Sequence, residues 1–173
     1  MKGIFFALLI LMSQAVSAGS GVSAFGLEFH KTKESDLAKQ HKIIANKGIN
    51  KYSGGNQYSI DTSQIGLTGL KSITVVFNKD KELVAILSTL RKSRYKNLKS
   101  ILQKKYYLLK QHGRAVGNKG ATFLKRDIII ELDAPHLSFE MTMNYLRADF
   151  LKNFKNSKEK DQKRKQQREN SLL

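Results

Sequence analysis

Two stretches of this chain alternate side chains strictly, break at a polar turn and alternate again. In the first, residues 71–90, Ile73, Val75 and Phe77 fall on one side and Thr74 and Val76 on the other. Successive side chains of a strand point to opposite faces, so both faces here are largely apolar. Asn78-Lys79-Asp80-Lys81 supplies turn formers, and residues 83–87 run apolar again. In the second stretch, residues 127–146, Ile128, Ile130 and Leu132 alternate with Ile129, Glu131 and Asp133. After a turn at Asp133-Ala134-Pro135-His136, the side chains of Leu137, Phe139, Met141, Met143 and Tyr145 share one face. That pattern predicts a half-buried strand with a wet outer face. The turn also holds the single proline, whose fixed φ suits it. A two-stranded ribbon is marginal alone in water, so each hairpin needs cover.

What precedes each hairpin also matches. Leu37, His41 and Ile44 have helical spacing, predicting a helix over 34–46, capped by Thr32 or Ser35 and ended by Gly48. A short strand is expected at 57–61. Leu98, Ile101, Leu102, Tyr106 and Leu109 predict a second amphipathic helix over 94–108, capped by Ser93, and another short strand is expected at 121–125. The expectation is an α+β fold: an antiparallel sheet from two helix-plus-strands units, residues 32–90 and 93–146, with helices on one face. Leu146, Phe150 and Phe154 recur every four residues and predict a short docking helix that closes a single domain at 25–154. From residue 155 apolar side chains nearly vanish. A basic tail over 155–173, helical or disordered, is expected.

The beginning of the chain sets a compartment. Lys2, an apolar run over 4–12 and small residues up to Ala18 predict a secretory signal peptide over 1–18. The run is too short for a membrane span, which takes about 20 apolar residues. No cysteine follows it to carry a lipid anchor. The expected location is periplasmic or secreted, with a flexible start at 19–24 and no span after cleavage. Because the chain has no cysteine, disulfides, thiol nucleophiles and thiolate metal sites are excluded.

Lys and Arg number 31 against 14 Asp and Glu, giving a formal charge of +17. Such an imbalance attracts polyanions: lipopolysaccharide, anionic lipids, teichoic acids or nucleic acid. Two places concentrate it. Around Gly113, Gly117 and Gly120 lie Lys110, Arg114, Lys119, Lys125 and Arg126. Glycines let backbone N–H groups converge on an anion, although they also suit an ordinary strand connection. The spacing is not that of a phosphate-binding P-loop. In the tail, Lys163, Arg164, Lys165 and Arg168 could form an electrostatic arm.

Catalytic and metal signatures are missing. The four histidines, at 30, 41, 112 and 136, are scattered, with no His-Glu-x-x-His motif and no Gly-x-Ser-x-Gly elbow. No cofactor or metal is expected. Glu131, Asp133 and Glu140 could meet across the second hairpin, which keeps a hydrolase as a remote alternative.

Phe25-Gly-Leu-Glu-Phe29, the turn Phe77-Asn-Lys-Asp-Lys-Glu-Leu83, the helix end Leu102-Gln-Lys-Lys-Tyr106 and a closing strand with Tyr145 resemble small exported bacterial proteins of unknown function. The repeated unit is similar to the β-lactamase-inhibitor-like fold and to the small lipoprotein of the outer-membrane β-barrel assembly machinery. The chain departs from the latter in having no cysteine to lipidate. The resemblance implies a protein that binds other proteins and is not an enzyme, and it assigns a role to no residue. The expected function is therefore a non-catalytic envelope binding protein, its partner a protein or an anionic polymer. The first alternative is a nucleic-acid or lipopolysaccharide binder acting through the basic loop and tail.

Overall fold

A computed structural model describes residues 21–113 and 117–172. The expected signal peptide and Arg114 lie outside them. The fold is α+β and rich in strands. A short ribbon, β1 (Ser23–Ala24) with β2 (Leu27–Glu28), precedes α1 (Glu34–Gln40). Four strands follow: β3 (Ile43–Ile49), β4 (Gly54–Ile60), β5 (Leu70–Asn78) and β6 (Leu83–Arg91). A 3-10 turn, Lys92–Arg94, leads into α2 (Tyr95–Lys105), and four more strands come next: β7 (Tyr107–His112), β8 (Lys119–Lys125), β9 (Ile128–Ala134) and β10 (Glu140–Arg147). The chain closes with α3 (Ala148–Asn170).

The eight strands β3 to β10 form one antiparallel sheet in the order β3-β4-β5-β6-β10-β9-β8-β7. Each half is a helix followed by four chain-consecutive strands, and the last strands of the two halves meet in the middle. A row of directly opposed residues crosses the centre of the sheet: Tyr58, Val75, Ile86, Tyr145, Ile130 and Phe123. All but the half-buried Tyr58 are buried. Leu37 of α1, Leu98 and Leu102 of α2, and Val22, Leu27 and Phe29 around the ribbon cover this face. The start expected to be flexible is in part structural, since Val22 and Ala24 are buried against the core.

The opposite face is covered differently. Phe150 and Leu151 of α3 pack on Val76, Val84, Ala85 and Leu146. Helices thus lie on both faces, not on one as expected, because the docking stripe after Tyr145 leaves the sheet on the side of Leu146. From its docked first turns α3 runs on as a helix through the basic tail, 23 residues in all.

Both helices before the strands are shorter than their sequence stripes. α1 stops at Gln40, and Ile43 and Ile44, read as helical, begin an edge strand. His41 caps the helix, and Gly48, expected to end it, sits within β3 at φ +76°. The residue at the N-cap is Lys33, not Thr32 or Ser35, with Asp36 accepting from the Lys33 N–H at 3.3 Å. Likewise α2 stops at Lys105, and Tyr107 and Leu109 enter β7. The sheet therefore has one more strand per half than its apolar pattern predicts. Both edge strands carry register shifts against their neighbours. Bulges and lysines on edges discourage pairing with another chain, and Lys47 and Lys110 stand on these strands.

Candidate basic cleft and its apolar loop

The expected cation cluster at 110–126 is pulled apart by its own hairpin. Lys119 opens β8, whereas Lys125 closes it. Seven strand residues put them about 20 Å apart. Arg126 sits in the β8–β9 turn at φ +57°, at the same far end as Lys125. Lys110 lies mid-strand on β7, exposed, with Thr122 opposite. In the tail, Arg164 pairs with Asp161, and Lys165 lies 3.8 Å from Glu169. Lys163 and Arg168 are exposed on the same helix. Two of those four cations are thus offset by acids one helical turn away, as expected for a solvated helix.

A different set of cations does converge. A cleft of about 290 Å³ lies between α2 and the β7–β8 hairpin, lined by Lys96, Lys99, Gln103, His112 and Lys119 among others. The spacing of Lys96 and Lys99 sets both on one face of α2, and β8 brings Lys119 to the facing wall. Among the described residues, none of these lysines forms an ion pair. Tyr95 closes the cleft on the core side. Its hydroxyl is pushed up in pKa, first by burial and then by Asp133, so it stays a neutral hydrogen-bonding group. Of the cations named from sequence, Lys119 is the one among the described residues that belongs to this cleft, with Gly113 of the same loop beside it. Lys96 and Lys99 lie off the apolar stripe of α2, so the sequence marks them only as part of its wet side.

The adjoining end of the molecule carries a second cleft, of about 470 Å³, lined by Lys71, Arg91, Lys92, Ser93, Ser138 and Phe139. Here the structure corrects the strand expected from residue 137 onward. β10 begins at Glu140, and Leu137 and Phe139, in phase with the buried Met141, Met143 and Tyr145, protrude 94% and 92% exposed. Several bonds hold their loop. The Lys92 N–H donates to Phe139 O at 2.8 Å, and Lys92 Nζ donates to His136 O at 2.7 Å and to Pro135 O. The His136 N–H donates to Asn118 Oδ1 at 2.7 Å, and the Glu140 N–H to Ser138 Oγ at 2.9 Å. The carboxylate of Glu140 is bound by Lys71.

The carboxylates named as hydrolase candidates do not share a cleft. Glu131 faces a cavity of about 240 Å³ between the sheet and α3, beside Asn144, Tyr52, Phe150 and Phe154. Burial raises the pKa of its carboxyl, with Lys155 drawing it back and Asp133 adding to the rise. Asp133 is exposed, and Glu140 is taken by Lys71 at the other cleft. Among the described residues no cluster of three His, Cys, Asp or Glu side chains could hold a metal, and no helix is long and apolar enough to cross a membrane.

Compared with known protein families, curated proteins and solved structures, the chain matches none.

Proposed function

We propose that this chain is an exported, non-enzymatic binding protein of the bacterial envelope, built from two repeated helix-plus-strands units, whose partner is an anionic polymer. The observation that carries this reading is the cleft between α2 and the β7–β8 hairpin, where Lys96, Lys99 and Lys119 face one another with no ion pair among the described residues. Three unneutralised ammonium groups around one cleft raise the local concentration of anions and repel one another when it is empty. Gln103 and His112 add hydrogen-bonding groups on the same walls. The anion class favoured is a repeating phosphate or carboxylate polymer such as lipopolysaccharide or nucleic acid, because the net charge of +17 extends attraction beyond a single site.

The test measures binding of polyphosphate and of lipopolysaccharide across a salt series. Binding should fall steeply with salt, and each lysine of the cleft changed to glutamine should make the slope shallower by roughly one. Ending the chain at residue 154 should weaken binding less than the Lys96→Gln/Lys99→Gln/Lys119→Gln variant does. Equal binding by that variant and the wild type would overturn the reading. So would a salt-insensitive partner protein recovered from envelope extract.

A further inference from the structure

Leu137 and Phe139 are the most exposed large apolar side chains among the described residues. Isolated exposed leucines are ordinary on a protein surface. These two are not isolated. They stand two residues apart on one loop and point away from the core that their strand phase would have sent them into. The loop is held at both ends. Lys92 binds the carbonyls of Pro135, His136 and Phe139, and Asn118 holds the His136 N–H. An apolar tip fixed in this way loses little conformational freedom when it is buried elsewhere.

The tip is ringed by positive charge. Arg91, Lys92 and Lys71 line the cleft that Phe139 walls. Lys119 stands opposite Ala134, where the chain enters the loop. Of the carboxylates near this end, Glu140 is held by Lys71, and the exposed Asp133 lies just before the loop. Apolar Leu and Phe side chains inside a collar of Lys and Arg are what a protein needs to sit in the interface of an anionic bilayer. The side chains enter the acyl boundary while the cations stay among the headgroups.

We infer that the Pro135–Phe139 loop is a membrane-surface anchor that inserts Leu137 and Phe139 into the interface of an anionic bilayer. Arg91 and Lys119, which form no ion pair among the described residues, engage the headgroups, while Lys92 holds the loop and Lys71 neutralises Glu140. The inserted residues are outside the polymer cleft, and Lys119 is the one cation that both readings use. Shallow insertion of two side chains is weak alone, so binding needs both parts and is reversible. Each cation near such a surface adds about fivefold.

The experiment sediments the processed protein with vesicles of phosphatidylcholine alone and of phosphatidylcholine mixed with phosphatidylglycerol. Binding is expected only to the mixed vesicles, and is expected to be lost at high salt. Leu137→Ser/Phe139→Ser should reduce partitioning at least tenfold with an unchanged melting temperature, since both residues are exposed. Phe139→Trp, in a chain with no other tryptophan, should show a blue-shifted emission on the mixed vesicles. Three outcomes would overturn the inference. One is equal partitioning of the double-serine variant and the wild type. Another is tryptophan emission that does not shift on bound vesicles. The third is failure of the wild type to bind the mixed vesicles, whether or not the loop instead mediates a dimer that the double-serine variant abolishes. Persistence of vesicle binding in the Lys96→Gln/Lys99→Gln variant separates this anchor from the polymer cleft.

Discussion

Arg147 Nη1 donates to Glu82 Oε2 at 3.1 Å, tying the start of α3 to the β5–β6 turn. The other oxygen of Glu82 accepts from Lys33 Nζ at 2.8 Å, at the start of α1. One carboxylate therefore tethers helices on opposite faces of the sheet, and Asp149 steadies the arginine from behind, accepting from its Nε at 2.8 Å. Lys33 first, then Arg147, holds the Glu82 carboxyl down at about 2. A carboxylate depressed on folding stabilises the protein above its unfolded pKa of about 4.3, and that stability is lost as pH falls toward the folded value. Stability against urea should therefore fall from about pH 4 down to about pH 2 in the wild type. Glu82→Gln should flatten that slope. At neutral pH the substitution should cost less than about 1 kcal/mol, because the side chain is about one-third exposed and its pairs are partly screened by solvent.

Glu131 predicts the reverse. Burial beneath α3 raises its carboxyl pKa, so the folded protein holds that proton more tightly than the unfolded chain. Stability from this group is present at low pH and lost as pH rises through the folded value. Glu131→Gln should therefore raise the melting temperature at neutral pH, by roughly 1–3 °C for a domain of this size. Below the unfolded pKa it should have no effect. A pair of thermal scans at acid and neutral pH checks both halves of the statement.

The two hairpins were legible because burial on one face imposes alternation. Ile73, Val75 and Phe77, and Met141, Met143 and Tyr145, are all buried in the same layer. Alternation does not mark where a ladder stops, however. Leu137 and Phe139 keep the phase of β10 yet stand outside it, because hydrogen bonding begins at Glu140. The edge strands were hidden for the opposite reason. β3 is exposed along its whole length, so it has no buried face to impose a period, and Leu37, His41 and Ile44 imitate a helical stripe across the boundary. The basic cleft was half legible. Lys96 and Lys99 read as a wet helix face, but nothing local to either segment says that Lys119 stands opposite.

Gly55 lies where β4 bulges against β5. A Cβ there would collide with the carbonyl oxygens of Asn78 and Phe77, both of them backbone and unable to swing aside. Gly55→Ala should destabilise by about 1–3 kcal/mol, the usual cost of overpacking. Gly66, whose Cβ would meet nothing within 4 Å, supplies the control. Its alanine variant should be neutral or slightly stabilising. Chemical denaturation of the two variants side by side makes the comparison.

Centre and edge should differ as sharply. Ile86 is fully buried between Val75 and Tyr145, so Ile86→Ala should cost about 2–5 kcal/mol. Ile44, on exposed β3, is 62% exposed, and Ile44→Ala should stay within about 0.5 kcal/mol. The urea midpoints of the two variants test the contrast.

Every pairing in the large sheet joins strands consecutive in the chain except that of β6 with β10. Six hairpin closures are therefore local, and a single one spans the distance from Arg91 to Glu140 and beyond. Loop-closure entropy concentrates in that one step. Each half can zip from its own turns at little entropic cost, but neither is complete until its last strand finds the other's. The slow event in folding is then the docking of two half-sheets. A second copy of the chain offers the same waiting edge, so the seam that completes the monomer is also where two monomers could trade halves.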